Sequence, residues 1–117
     1  MRHLKKGRKF GRERNQRRAL LKGLALSFFM KGKIETTTAK ARELRPYVER
    51  CITRARDNTI VGRRHLGRFF PDAAVKKVMD HAKMVIAADR HGGYTRITKS
   101  RIRVRDGATM AILELVT

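Results

Sequence analysis

Nine of the first eighteen residues, MRHLKKGRKFGRERNQRR, are Lys or Arg, and Glu13 is the one acid among them. Cations at this density neutralise rather than catalyse. Arg presents a planar fork of N–H donors that matches a phosphate bidentately, and Lys presents a mobile point charge. A net +8 with no nearby carboxylates repels itself unless a dense polyanion sits against it. Nucleic acid is the expected polyanion, since a duplex carries a phosphate charge about every 1.7 Å of axis. Gly7 and Gly11 give the backbone freedom to approach it. His3 and Phe10 are rings able to stack on bases. Two further basic patches follow: Arg63, Arg64 and Arg68 in mid-chain, and Arg96, Lys99, Arg101, Arg103 and Arg105 near the C-terminus.

Other chemistries find little support. His3, His65, His81 and His91 are scattered, and none pairs with Cys51 or a second His at ligand spacing, so no metal site is expected. Cys51 falls on the apolar face of a helical pattern and reads as a small buried hydrophobe rather than a nucleophile. Asp80 beside His81, and Asp89 beside Arg90 and His91, are ordinary surface neighbours, and no two carboxylates form an acid/base pair. Gly7 and Gly11 follow no strand and make no phosphate-binding loop. The expectation is no catalytic residue, no cofactor and no small-molecule substrate.

Composition narrows the field further. The chain is +20, and +12 of this lies beyond the first eighteen residues, so basicity is global. No apolar run approaches the roughly eighteen residues of a bilayer span. The start Met1-Arg2-His3 offers no myristoylation signal and Val116-Thr117 no prenylation box; the arm lacks the apolar centre of a secretory signal and the Ser and Thr of a transit peptide. No membrane partner is expected. One cysteine rules out an internal disulfide and suits a reducing compartment.

Cations act only where a fold holds them. Residues 1–14 show no apolar period and read as an extended basic arm that orders on binding; residues 15–117 read as one globular domain. Asn15 is the expected N-cap of a first helix, with Leu20, Leu24 and Phe28 as one apolar row, Leu21, Ala25 and Phe29 as its neighbour, and Gly32 as the C-terminal stop. Lys33–Thr37 alternates as a strand. Thr37 or Thr38 then caps a second helix with a core row of Ala41, Leu44, Val48, Cys51 and Ala55, kinked at Pro46. Asp57-Asn58 breaks it. A third helix spans about 60–69, and Pro71-Asp72 opens a fourth whose inner row is Val75, Met79, Ala82 and Ile86, with Val78 and Val85 alongside. Tyr94–Arg105 reads as a strand with Ile102 and Val104 on an apolar face, opposite Arg101, Arg103 and Arg105, and with a bulge between Ile97 and Ile102. Asp106-Gly107 marks a hairpin turn. Thr109–Val116 is apolar on both parities and is expected at the centre of the sheet. The expected class is α/β of the α+β type: two layers, about four helices on one face of a small mixed three-stranded sheet, in the order α-β-α-α-α-β-β.

Four ordered stretches also resemble a known family. MRHLKKGRKFGR (1–12), Arg18-Ala19-Leu20-Leu21, KIETTTAKARELRPYVE (33–49), and the pair GGYTRI (92–97) with MAILELV (110–116) are similar to the bacterial large-subunit ribosomal protein L seventeen family. Residues 13–17 and the turn at 105–107 depart from its pattern. The resemblance implies a structural role in the cytoplasm: binding large-subunit ribosomal RNA near the peptide exit tunnel, among neighbouring large-subunit ribosomal proteins. It assigns Arg2, His3, Lys5, Lys6, Arg8, Lys9 and Arg12 to a thread between RNA helices. With the residues singled out above, the expected RNA-binding set adds Arg14, Arg17, Arg18, Arg63, Arg64, Tyr94, Arg96, Lys99, Arg101 and Arg103. The alternative is a DNA-compacting or architectural protein, against which stand the lack of an expected wedge at a hairpin tip and of an apolar face for dimerisation. An RNA-modifying enzyme would need a pocket of placed acid and base groups that the sequence does not show.

Overall fold

Helix ends leave backbone N–H and C=O groups unpaired, and in this chain local side chains cap the starts of the first and third helices. The computed structural model describes residues 3–116, so Arg2 lies outside the described residues. The elements are α1 (Arg14–Lys31), β1 (Lys33–Thr37), α2 (Thr38–Arg56), α3 (Ile60–Gly67), α4 (Asp72–Ala87), β2 (Thr95–Ile102) and β3 (Thr109–Leu115). Glu13, not Asn15, heads α1: it forms a capping box with Gln16, whose Oε1 accepts the Glu13 N–H at 3.4 Å. A reciprocal partner three residues on favours Glu13, whereas Asn15 would have found Arg18 there. Gly32 closes the helix in the left-handed region at φ 81° and donates its N–H to the Phe28 carbonyl. Helix α2 runs straight on from β1 and continues through Pro46.

Helix α3 starts at Thr59, whose Oγ1 accepts the Gly62 N–H at 3.0 Å. Gly62 is held against the backbone of α2: a Cβ there would stand 2.7 Å from the Arg54 carbonyl oxygen. Gly23, in the middle of α1, has open space where its Cβ would lie.

The sheet has the order β1-β3-β2. It is antiparallel throughout rather than mixed, since β1 and β2 each pair antiparallel with β3. The reason is topological: the β2–β3 hairpin forces one antiparallel pair, and β1 takes the free edge of β3 in the same sense as β2. The central place expected for β3 holds, and so does the irregularity in β2, where the register shifts between Lys99 and Ile102. Ala111 and Leu113, opposite Thr36 and Ile34 of β1, are fully buried beneath the helices. Helix α2 touches all three strands as well as α1, α3 and α4.

The core gathers Phe28 and Phe29 from α1, Leu44, Val48 and Ile52 from α2, Val78 and Ala82 from α4, and Leu113 from β3. Phe29 meets Phe28 and Phe70 edge-on, with centroids 5.4 and 5.7 Å apart. Three expected core positions move. Ile52 is buried where Cys51 was expected, and Cys51 is only partly buried. Val85, expected alongside the inner row, is buried, while Ile86 is 46% exposed, and Leu20 is only partly buried. Neighbouring positions on a helix differ by about 100° of rotation, so a sequence stripe fixes the face only to about one residue; the docking angle of α2 and α4 settles it. Ile102 and Val104 are 67% and 101% exposed, because β2 ends at Ile102 and no helix reaches under the hairpin tip.

Two alanine substitutions test this packing in opposite senses. Gly23→Ala should raise stability by about 0.5–1 kcal/mol, the helix-propensity gain. Gly62→Ala should lower it by about 1–3 kcal/mol despite the same intrinsic gain, because the methyl meets backbone. Urea unfolding of both variants checks the pair; a stabilised Gly62→Ala would show that α3 does not press on α2.

Candidate nucleic-acid interface

The described arm, residues 3–13, has neither helix nor strand. Leu4, Gly7, Phe10 and Gly11 all take positive φ, which turns the chain repeatedly. Arg12 closes one turn, donating its N–H to the Lys9 carbonyl at 3.1 Å and its Nη1 to the Phe10 carbonyl at 3.0 Å. The arm therefore lies along the body instead of projecting straight out. Lys5, Lys6, Gly7, Arg8 and Lys9 form one wall of a groove of about 540 Å³; Arg17 and Leu21 of α1 and Glu43 of α2 form the other. Among the described residues no carboxylate lies within salt-bridge reach of Lys5, Lys6, Arg8, Lys9, Arg12, Arg14, Arg17 or Arg18. His3 is exposed at the tip.

The C-terminal patch is different. Arg96 pairs with Glu114 at 2.9 Å, Arg101 with Glu35 at 3.0 Å, and Arg103 with Asp106 at 2.7 Å. The first two pairs bridge strands across the sheet face away from the helices. Arg103 grips Asp106 through Nε and Nη2, and the Ala108 N–H donates to the same carboxylate. These hydrogen bonds hold the Asp106 carboxyl down to about 2 and raise Arg103. Lys99 has no such partner and is exposed. Arg63 and Arg64 stand exposed on α3, also clear of carboxylates among the described residues.

Tyr94 departs from its expected role. It is 2% exposed, and its hydroxyl is buried without a hydrogen-bond partner among the described residues. The chain enters β2 beneath the helices here, with the Tyr94 carbonyl accepting the Val116 N–H at 2.9 Å. The ring is a core element and cannot meet a large ligand. Conversely, an apolar residue does stand at the hairpin tip, since Val104 is fully exposed among Arg101, Arg103 and Arg105.

Buried titratable groups show no activated chemistry. Burial pushes the Cys51 thiol up to about 11, so it stays protonated. Burial lowers His81, and lowers His65 with help from Arg54 and Arg68. Among the described residues no three His, Cys, Asp or Glu side chains gather as a metal would need.

The sequence reading missed Tyr47, Arg50 and Arg54. They lie at i, i+3 and i+7 on one face of α2, a spacing that was available. Their partner Phe69 follows α3, and the fold brings it to Tyr47 in a shared depression.

These features define a class: a small, strongly basic α+β protein with a broad display of exposed cations. A family model described as "Ribosomal protein L17" matches residues 20–116. Curated relatives named "Large ribosomal subunit protein bL17" align over nearly the whole chain. That of Campylobacter lari is 49% identical, covering 99% of this chain and 99% of the relative. That of Gemmatimonas aurantiaca is 46% identical over 99% and 98%, and that of Fusobacterium nucleatum 42% over 99% and 100%. The chain belongs to the ribosomal protein L17 family, a family of structural rather than catalytic proteins. The family model begins at Leu20, so the pairwise alignments, not the model, carry the likeness through the arm.

The Asp106 carboxyl gives a pH test of the hairpin. Its folded value is depressed from 3.8 to about 2, so its stabilising effect is full above 3.8 and is lost as pH falls through about 2. An NMR titration of its side-chain carbon should find a midpoint near pH 2. A midpoint at the usual value would mean that the Arg103 fork is open in solution.

Proposed function

We propose that this structural protein of the large ribosomal subunit binds large-subunit ribosomal RNA, with residues 1–14 as the binding arm and residues 15–117 as the folded body. The observation that carries the reading is the contrast in pairing. Among the described residues, the cations of the arm and of the first turns of α1 have no carboxylate partner, while the cations of β2 are mostly neutralised within the fold. Cations so placed are stable only against an external polyanion. The relatives' names place those proteins in the large ribosomal subunit, whose polyanion is ribosomal RNA, and this supports the reading. Position near the peptide exit tunnel and contact with neighbouring ribosomal proteins rest on the family resemblance alone.

Folded ribosomal RNA brings phosphates of separate helices together, and cations between them screen the repulsion. An arm with no helix or strand can follow an irregular crevice that a rigid body cannot enter. Ordering it costs about 1–2 kcal/mol per residue in backbone entropy; phosphate contacts and released counterions offset this. RNA shape rather than base-edge readout then sets specificity. Of the expected cations on α3, β2 and the hairpin, Arg63, Arg64 and Lys99 have no carboxylate partner among the described residues, whereas Arg96, Arg101 and Arg103 would first have to exchange a carboxylate for a phosphate.

Deleting residues 2–12 should leave the far-ultraviolet circular dichroism of the helices intact and greatly weaken binding to large-subunit RNA. Helix loss on truncation would overturn the division into arm and body. Changing Arg8 and Lys9 to Ala should flatten the dependence of log K on log salt by about 0.7–0.9 per phosphate contact removed. Tyr94→Phe, which alters a buried hydroxyl, should leave that slope unchanged. An unaltered slope for the Arg8 and Lys9 variant would place those side chains in solvent.

A further inference from the structure

The face of α2 that carries Tyr47, Arg50 and Arg54 is only partly covered by α1 and α3. Between it, α1 and the turn after α3 runs a depression of two joined parts. The wider part encloses about 700 Å³ and is lined by Leu21, Tyr47 and Phe69 with Arg18 and Lys22 at its edge. The narrower part, about 110 Å³, continues past Tyr47 and Phe69 to Cys51, His65 and Leu66, with Arg50 and Arg54 beside it. Tyr47 and Phe69 belong to both parts. The wider volume falls in the range of sites that hold a small organic group, about 300–1,000 Å³.

The chemistry of the lining is specific. Phe69 is 39% exposed, and its ring is set by an edge-on contact with His65, centroids 5.3 Å apart. Tyr47 is half-buried, so one part of its ring packs and the rest faces the opening. The four cations, Arg18, Lys22, Arg50 and Arg54, are exposed, and no carboxylate lines either part. An exposed ring and a half-buried ring flanked by cations form a surface whose complement is a flat, polarisable group attached to phosphates.

We infer that this groove captures one unstacked nucleotide of a single-stranded RNA segment, its base against Tyr47 and Phe69 and its flanking phosphates on Arg18, Lys22, Arg50 and Arg54. The inference rests on the RNA-binding reading above and adds to it a fixed point on the body, distinct from the arm. The arm neutralises backbone wherever it threads; the groove requires a base to be free of its stack. Stacking on an aromatic side chain accepts any base, because each has a π-face. The site therefore selects for strand conformation, a loop or bulge over a helix, rather than for sequence.

The full chain can be tested with two probes of equal charge: single-stranded decauridylate, and an abasic ribose-phosphate chain of the same length. The ratio of the two affinities cancels the contribution of arm and phosphates. The chain has two tyrosines and no tryptophan, and Tyr94 is buried, so contact quenching of tyrosine emission reports Tyr47. Decauridylate should quench this emission and the abasic chain should not. Phe69→Leu and Tyr47→Leu keep apolar volume but remove a ring, and each should lower the decauridylate-to-abasic ratio by about fivefold or more. Phe69 lies on an exposed turn, so its variant reads the site even if Tyr47→Leu disturbs the helix packing. A wild-type ratio of one, or a ratio kept in both variants, overturns the groove as a base site. So does a kept ratio combined with loss of ribosomal proteins retained on the immobilised chain, which would make the occupant a protein. Binding of the wild-type chain to folded large-subunit RNA is measured in parallel: its failure sinks the RNA-binding reading itself, whereas its success with a ratio of one sinks the groove alone.

Discussion

Everything in this fold closes on one apolar seam. Ala41, Leu44, Val48, Ile52 and Ala55 of α2 are buried almost completely, and α1, α3, α4 and the sheet all pack against that helix. The constraint behind this is charge. With thirty Lys and Arg against ten Asp and Glu, few positions can be taken from water without stranding a cation, and burying an unpaired charge is prohibitive. A single helix with a clean stripe, flanked by stripes on α1 and α4, is how such a chain finds a core. The remaining face of α2, with Tyr47, Arg50 and Arg54, is left only partly covered for the same reason.

Scarce carboxylates then decide which cations are free. Glu35, Glu114 and Asp106 neutralise Arg101, Arg96 and Arg103 on the sheet and its hairpin. Glu49 accepts from Thr95 at 2.9 Å, fastening α2 to β2 while it also faces Arg45. Among the described residues no carboxylate forms a salt bridge with a cation of the arm. Exposed pairs of this kind contribute little to stability. Their larger effect is to neutralise three arginines within the fold, so that the cations of the arm, of α3 and beside Tyr47 are left without carboxylate partners among the described residues.

The hairpin tip shows how charge and apolar exposure can mislead. Val104 among three arginines has the look of a wedge for bent DNA, yet two of those arginines, Arg101 and Arg103, are already paired. Membership of a ribosomal family, carried by alignment over nearly the full chain, outweighs that likeness.

The sequence by itself determined the element order, the bounds of β1, the stop at Gly32, the centrality of β3 and the concentration of charge in the arm. Each of these follows from local chemistry: a left-handed glycine, alternating or continuous apolar residues, a run of cations. Tertiary structure decided what depends on rotation and on distant partners. It chose Ile52 over Cys51 and Val85 over Ile86, because a helical stripe leaves the docking angle open by about one residue. It buried Tyr94, which the sequence reading had placed at the RNA surface, because only the packed sheet shows which side of β2 the helices cover. It set Glu35 beside Arg101, 66 residues apart, and joined Tyr47 to Phe69 across two helices. Pairings of that range are fixed by the closure of the core, a property of the whole chain that no local segment carries.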